Sequence, residues 1–458
     1  MRTDRKKRQE DIIKNVNTHK TLILDAERWL WTHPQTGYTE WEAHEYLRKQ
    51  FETLGYSLTL SGNIPGFYTD IDTKRPGPKV CIMAELDALE LPNHPQAQKG
   101  VIHACGHHAQ GAALLGVAAA LKEPGALDGL SGSIRLMAVP AEEVIQLAFR
   151  EELRRQGVVQ YTEGKVEYLS RGYFDDVDMA VMVHGHMNSG EDFFDFVGNA
   201  GNNGCIAKEI TYKGKAAHAG GAPHEGINAQ YAAMLGLQAC NDLRETFQEK
   251  DAIRFHPVMQ GANCAVNIIP EEFRIESYVR GKNLEAMKRE NRKINRALTG
   301  GALAMGAGVE ICDRPGCAPE YHDTEFLKLV EQCCIDLSGK EKVNFDYNKW
   351  VASSSDFGDI TCVMPGVQFY VAGASGTVHG VDYCVINPER FCLNAAKALL
   401  FVVLELLSEE GMKAKKILEQ YEPIYPSIQA YLKAINEVIL DKNAVIYDEN
   451  GNVKIDYM

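Results

Sequence analysis

Residues 134–143 read IRLMAVPAEE. The first seven form a largely apolar run of strand length, and Glu142 and Glu143 stand just beyond it. A short apolar run without polar alternation is the pattern of a strand buried on both faces. MAVMV at 179–183 and GVQFYV at 366–371 have the same character, and a further β-type run occupies 79–84. Helical stretches lie along the same chain, among them 8–30, 40–54 and the Ala-rich 108–122. Buried strands with helices between them predict an α/β body with a mainly parallel central sheet flanked by helices.

From Ile206 to Ile311 the rhythm changes. IAKEITY (206–212) alternates, a helix is expected from Ile227 to Phe247, AIRFHPVM (252–259) and FRIESYVR (273–280) read as half-exposed strands, Asn283 to Leu298 reads as a charged helix, and VEI (309–311) as a last strand. That β-α-β-β-α-β order is the ferredoxin-like split unit. The expected organisation is an inserted domain at 206–313 within a main domain formed by 1–205 and 314–458. The tail, 410–458, reads as charged and helical, then polar. The most apolar segment, Ala398 to Leu407, is interrupted by Glu405 and falls short of the roughly 20 residues a bilayer span needs. It predicts a buried helix. The charged start, MRTDRKKRQEDIIKN, lacks the apolar run of a secretory signal. A soluble, cytoplasmic protein with no membrane association is expected.

The 458 residues are 45% hydrophobic and 24% charged, a globular composition. A net charge of −14 argues against nucleic acid as the main partner, because phosphate binding needs a basic face. Twelve Cys and fourteen His fit either metal chemistry or ordinary cores. No CxxC pair occurs, so a zinc ribbon is not expected. GxSxG, Walker A, GxGxxG after a strand and HExxH are all missing.

In open α/β sheets, functional groups collect beyond the carboxyl ends of the strands. Here the run at 79–84 leads into Glu85-Leu86-Asp87, the run at 134–140 into Glu142-Glu143, MAVMV into His184-Gly185-His186, and GVQFYV, after a Gly-rich loop, into His379. His103-Ala104-Cys105-Gly106-His107-His108 stands directly before the Ala-rich helix. Taken singly, Glu142-Glu143 would be a solvated helix start, His184 a core histidine and Cys105 a buried thiol. Together they are costly to bury unless paired or bound to a cation. Cys105, His107, Glu143, His184 and His379 are five candidate ligands, more than one tetrahedral site holds, so two cations are expected. Thiolate and imidazole suit zinc, and carboxylate widens the choice to manganese. Glu142 would stay free as a general base for a cation-held water.

With these motifs on the page, the chain resembles the two-metal amidohydrolases that include aminoacylases, hippurate hydrolase, auxin-conjugate hydrolases and aminobenzoyl-glutamate hydrolase. The resemblance runs from about residue 25 to about 408. It rests on AELDAL (84–89), HACGHH (103–108), VPAEE (139–143), DMAVMVH (178–184), GKAAHAGGAPHEGINA (214–229), VNIIPEE (266–272), SSSDFGD (353–359) and TVHG (377–380). It implies hydrolysis of a small amide or peptide by a homodimer joined through the inserted domain, which would also act as a lid. It implies that Cys105 bridges two divalent metals, Zn or Mn, completed by His107, Glu143, His184 and His379. Glu142 would be general base and acid, and Asp87 would orient a ligand histidine. His218 would reach the partner subunit's site and stabilise the oxyanion, while Asn267 and Arg280 would contact the substrate.

The sequence departs from its relatives at His108, at Gln110, at Glu85 and in the long polar insert from Glu90 to Ile102. His186 is a neighbour that could replace His184, but the six-residue offset from Asp178 favours His184. The expected substrate is an N-acyl or N-aroyl amino acid of the aminobenzoyl-glutamate kind, or a dipeptide. Its rivals are a dipeptidase specific for an unusual C-terminal residue, an inactive metal-binding partner protein, and a cysteine hydrolase using Cys105 with His107. The last leaves Glu142, Glu143, His184 and His379 without a role. The eleven other cysteines are expected to be buried thiols.

Overall fold

The structure, a computed structural model, describes residues 2–187, 193–196 and 200–458. Its main body includes α1 (Lys20–Thr32), β1 (Phe67–Asp72) and β2 (Lys79–Glu85). It continues through α2 (His107–Leu121), β3 (Ser133–Val139), the short α3 (Gly164–Ser170) and β4 (Met179–Met187). The chain then passes into β5 (Gly204–Lys213), α4 (Ala229–Asp242), β6 (Val258–Gly261), β7 (Glu272–Gly281), α5 (Leu284–Met305) and β8 (Gly308–Pro315). Back in the main body it forms, among other elements, β9 (Gly366–Ser375) and α6 (Ala395–Leu407), and it ends with β10 (Leu440–Tyr447) and β11 (Val453–Ile455).

In the main sheet β1, β3, β2, β4 and β9 lie side by side. The last four are mutually parallel, and β1 runs antiparallel to β3. The parallel strands carry helices on their faces, so they read as near-continuous apolar runs: all of β2 beyond Lys79 and all of β3 beyond Ser133 are buried. Every residue of α2 is buried, and α6 beside it is buried at all positions but Lys397. A helix apolar all round belongs in an interior, not at a surface. Among the described residues, no single helix is long and apolar enough to cross a membrane.

The second sheet is antiparallel throughout, with β6, β7, β5 and β8 in that order. This is the ferredoxin-like arrangement, with α4 and α5 packed together against the sheet. β7 alternates between buried and accessible residues, as a strand covered on one face does. Beneath α5, the buried Lys208 ammonium pairs with Asp313 and donates to Asn295 Oδ1 at 2.5 Å.

The tail corrects one expectation. Residues 440–455 do not join the main domain; β10 pairs antiparallel with β8 and β11 with β10, so the tail extends the second sheet. Only Ala444 and Val445 of β10 are buried, which leaves the strand little apolar signal to read in advance. Arg314 ties the three parts together: its guanidinium donates to both oxygens of Glu151, at 2.8 and 2.9 Å, and to Asp441 Oδ1 at 2.5 Å. The cysteines need a correction too. Cys264 is exposed, and Cys312 and Cys384 are partly so. Removing residues 438–458 uncovers the β8 edge and the partners of Val445, a side chain whose burial alone contributes about 2 kcal/mol. Hydrogen exchange on such a truncated chain should show residues 308–315 losing protection by roughly tenfold or more, with β2 to β4 unchanged.

Candidate active site

The expected groups gather at the carboxyl ends of β2, β3 and β4 and at the start of α2. Two triads of donor atoms lie within 4.8 Å of one another: Cys105, His107 and His184, and Cys105, Glu143 and His379. Cys105 belongs to both. His107, Glu142 and Glu143 form a third such group. His186 is not part of these triads; its Nε2 lies 3.6 Å from Asp195.

Backbone geometry aims these side chains. Gly106 has φ +94°, and a Cβ there would come within about 3.1 Å of the Tyr383 hydroxyl and the Phe391 ring. It turns the chain between Cys105 and the first residue of α2. Ala141 at φ +57° and His379 at φ +59° are non-glycine residues in the left-handed region, a conformation held only where surrounding contacts enforce it. Ala141 N donates to the buried Glu40 Oε1 at 2.7 Å, and the Arg150 guanidinium donates to the Glu143 carbonyl. His379 N donates to the Ala104 carbonyl at 3.1 Å, which fastens its loop beside Cys105.

Asp87, with no exposed surface, serves two of the donors. His107 Nδ1 lies 2.9 Å from its backbone carbonyl and 3.1 Å from Oδ1, while Oδ2 accepts from Glu143 N at 2.8 Å. A carbonyl only accepts, so His107 carries a proton on Nδ1 and turns Nε2 toward the site. His184 does the same: Nδ1 donates to the Gly185 carbonyl at 2.9 Å and Nε2 stands 3.5 Å from Cys105 Sγ. His107 Nε2 is buried 3.2 Å from Glu85 Oε2, and Glu143 Oε1 lies 3.1 Å from His379 Nε2. Imidazole and carboxylate donors held this close, with a thiol among them, are what a thiophilic or borderline divalent cation fits.

The electrostatics separate the two adjacent glutamates. Burial, and then the carboxylates Glu85, Glu143 and Asp356, push Glu142 well above the ordinary carboxyl range. Burial works against the charge on Glu143 as well, but His379 outweighs it and holds the carboxyl down at about 2. For Cys105, burial and Glu143 oppose ionisation, while His184 and His107 bring the thiol down to about 6.

These groups face a cavity of about 440 Å³ lined also by Tyr278, Arg280, Ser353, Ser354, Asp356 and Tyr370. Arg280 reaches it from β7, with a guanidinium nitrogen donating to Ser354 Oγ at 3.0 Å. His218 and Asn267 do not line it. They sit together on the second domain, where Ala219 N donates to the Asn267 carbonyl at 2.9 Å, and both are exposed. His218 Nδ1 accepts from Gly220 N at 3.1 Å and Gly221 N at 2.9 Å, which leaves its proton on Nε2, pointing outward.

Beneath the donors lies a buried charge network that sequence reasoning missed. Lys165, the second residue of α3, donates to Glu85 Oε1 at 2.5 Å and to Asp356. Glu85 Oε2 accepts from Gln110 Nε2 at 2.7 Å and faces His107 Nε2 at 3.2 Å. The two departures Glu85 and Gln110 are therefore partners. His108, the other departure at this junction, lies with Nε2 3.3 Å from Glu27, away from the cluster. Removing one partner of a buried ion pair costs about 3–5 kcal/mol. Lys165→Met should lose stability of that order in chemical denaturation, and adding Asp356→Asn should recover part of it.

The chain matches the model of peptidase family M20/M25/M40 over residues 68–405. The human Xaa-Arg dipeptidase is 25% identical over 408 residues, 83% of this chain and 84% of that protein. One of the subunits of the p-aminobenzoyl-glutamate hydrolase of Escherichia coli K12 is 27% identical over 382 residues, 80% of this chain and 81% of its own. Among solved structures, a dinuclear metal-binding peptidase of the M20 family from Bacillus subtilis superposes with a TM-score of 0.61 at 20% identity, covering 85% of this chain and 99% of that one. The chain belongs to peptidase family M20/M25/M40 and is a hydrolase acting on amide or peptide bonds.

Proposed function

We propose that this hydrolase takes two divalent cations and cleaves a small N-acyl or N-aroyl amino acid or a dipeptide; Cys105, His107 and His184 would hold one cation, and Cys105, Glu143 and His379 the other. The single observation that carries the reading is the sharing of Cys105 between two donor triads, with the spare carboxylate of Glu142 beside them. The dinuclear relative from Bacillus subtilis is consistent with it. When bound, such cations acidify water and polarise a carbonyl. Zinc or manganese suits the donors.

Glu142 is the group that moves the proton. Its Oε2 lies 3.9 Å from His107 Nε2, at the edge of the donor cluster, and its raised proton affinity suits an acceptor that must later donate. It takes the proton from the attacking water and delivers it to the leaving amine nitrogen. Asp87 holds His107 and Glu143 in position. Arg280 offers a cationic fork to the carboxylate of an amino-acid product. His218, with its Nε2 proton facing outward, would donate to the oxyanion in the partner subunit of a homodimer, with Asn267 beside it. The aminobenzoyl-glutamate type of substrate is the first reading. A dipeptide with an unusual C-terminal residue is the second, favoured by the resemblance to the Xaa-Arg dipeptidase. Turnover of acyl-amino acids, dipeptides and aryl-glutamates with zinc, manganese or cobalt added discriminates the two.

Glu142→Gln should keep its metal, measured by elemental analysis, while turnover falls about 10²–10⁴-fold. Near-normal turnover would remove Glu142 from the proton transfer. Mixing Glu142→Gln with His218→Ala subunits should restore part of the activity, because a hybrid dimer holds one site with both residues intact. No recovery despite confirmed subunit exchange would place His218 outside the partner's chemistry.

A further inference from the structure

A second cluster of soft and acidic donors lies where the two domains join. Cys205 is the second residue of β5, on the segment by which the chain enters the second sheet, and Cys317 follows β8, on the segment by which it leaves. The two segments run side by side: Cys205 N donates to the Cys317 carbonyl at 2.8 Å, and Gly316 N to the Cys205 carbonyl at 3.1 Å. Glu163 comes from the main body, just before α3. The carboxylate and the two sulfurs lie within 4.8 Å of one another. Glu163 has no exposed surface, and each cysteine is 4% exposed.

We propose that Glu163, Cys205 and Cys317 bind a zinc-like thiophilic divalent cation, at a site separate from the Cys105 cluster. Three observations carry this. First, the sulfurs are 3.6 Å apart. Two thiolates about 2.3 Å from a tetrahedral zinc stand about 3.8 Å apart, so little movement is needed. Second, neither oxygen of Glu163 has a hydrogen-bond partner among the described residues. Protonation alone leaves the resulting O–H without an acceptor, whereas a cation satisfies the carboxylate directly. Third, burial and then the acidic groups Cys205, Asp359, Asp356 and Glu142 all disfavour a charge on Glu163. The nearby ammonium of Lys165 is already shared by Glu85 and Asp356.

Three protein donors leave a fourth position of the tetrahedron open, and all three residues border the active-site cavity. Binding releases the protons of both thiols. The bound cation fastens the entering and leaving segments of the second domain to the main body, beside the cavity those segments help to close.

Full-length protein exchanged with Cd²⁺ tests this through its ultraviolet sulfur-to-cadmium charge-transfer band. Wild type should show three thiolates' worth of absorbance, one from Cys105 and two from the pair. Cys105→Ser should retain about two thirds, and Cys205→Ser/Cys317→Ser about one third. A double variant with the wild-type band would overturn the proposal. Mass-spectrometric alkylation of wild type covers the case of a misfolded variant. Cadmium should protect Cys205 and Cys317 from the reagent, and equal labelling with and without cadmium, or a Cys205–Cys317 disulfide in reduced preparations, would also overturn it. Because the pair is read apart from Cys105, its failure leaves the two-cation reading of the first site untouched.

Discussion

Lys165 places an ammonium group inside the protein, between Glu85 and Asp356, with none of the three exposed to solvent. Around that contact the structure buries an excess of acidic groups. Asp87, Glu143, Glu163 and Asp359 are all buried within the same region. The Lys165 ammonium touches two carboxylates but neutralises the charge of one, and each uncompensated charge in a low-dielectric interior costs several kcal/mol. The imbalance is the physical reason that a cation would be stabilised here. Stability favours neutralising these groups by protonation, by histidine or by metal, and the Nδ1–H donations at His107 and His184 turn both Nε2 atoms to the same place.

The parallel sheet explains why the imbalance is local. Carboxyl ends of β2, β3 and β4 all open on one side, so Glu85 with Asp87, Glu142 with Glu143, and His184 arrive there from separate stretches of chain. This part was readable in advance, because an apolar strand that stops at a charged residue is a local pattern. HACGHH was readable for the same reason: its cysteine, glycine and histidines sit together at a helix start. The central sheet and the ferredoxin-like unit were readable from periodicity, since buried parallel strands and half-exposed antiparallel ones differ in pattern.

What escaped the sequence depends on long-range pairing. Lys165 stands in YTEGKVEY, a polar run that reads as an exposed helix start, and its partners lie 80 and 191 positions away. Cys205 and Cys317 are 112 positions apart and meet only because two strands of one sheet begin and end together. Glu163 carries no local sign that it is buried. The tail strand β10 was missed because its pairing with β8 relies on backbone hydrogen bonds, which any sequence supplies, and on two buried side chains. Gln110 and Glu85 looked like independent departures. They are joined by a hydrogen bond: one Glu85 oxygen accepts from the Gln110 amide while the other keeps Lys165.

The backbone carries the same constraint in another form. Gly106, Ala141 and His379 all have positive φ: Gly106 stands between the donors Cys105 and His107, Ala141 precedes Glu142-Glu143, and His379 is itself a donor. For alanine and histidine that conformation costs of order 1 kcal/mol or more, and it persists only where contacts over-determine it. Those contacts are identifiable: Glu40 on Ala141 N, Arg150 on the Glu143 carbonyl, and the Ala104 carbonyl on His379 N. Each draws the chain toward a region whose side chains repel one another. Strain and buried charge therefore have a common origin. The fold holds acidic groups closer than they would stand by themselves, and the side chains that hold them, Glu40, Asp87 and Arg150, are not themselves members of the donor set. A site built this way keeps its geometry when its charge is neutralised, because the holding contacts lie outside the donor set.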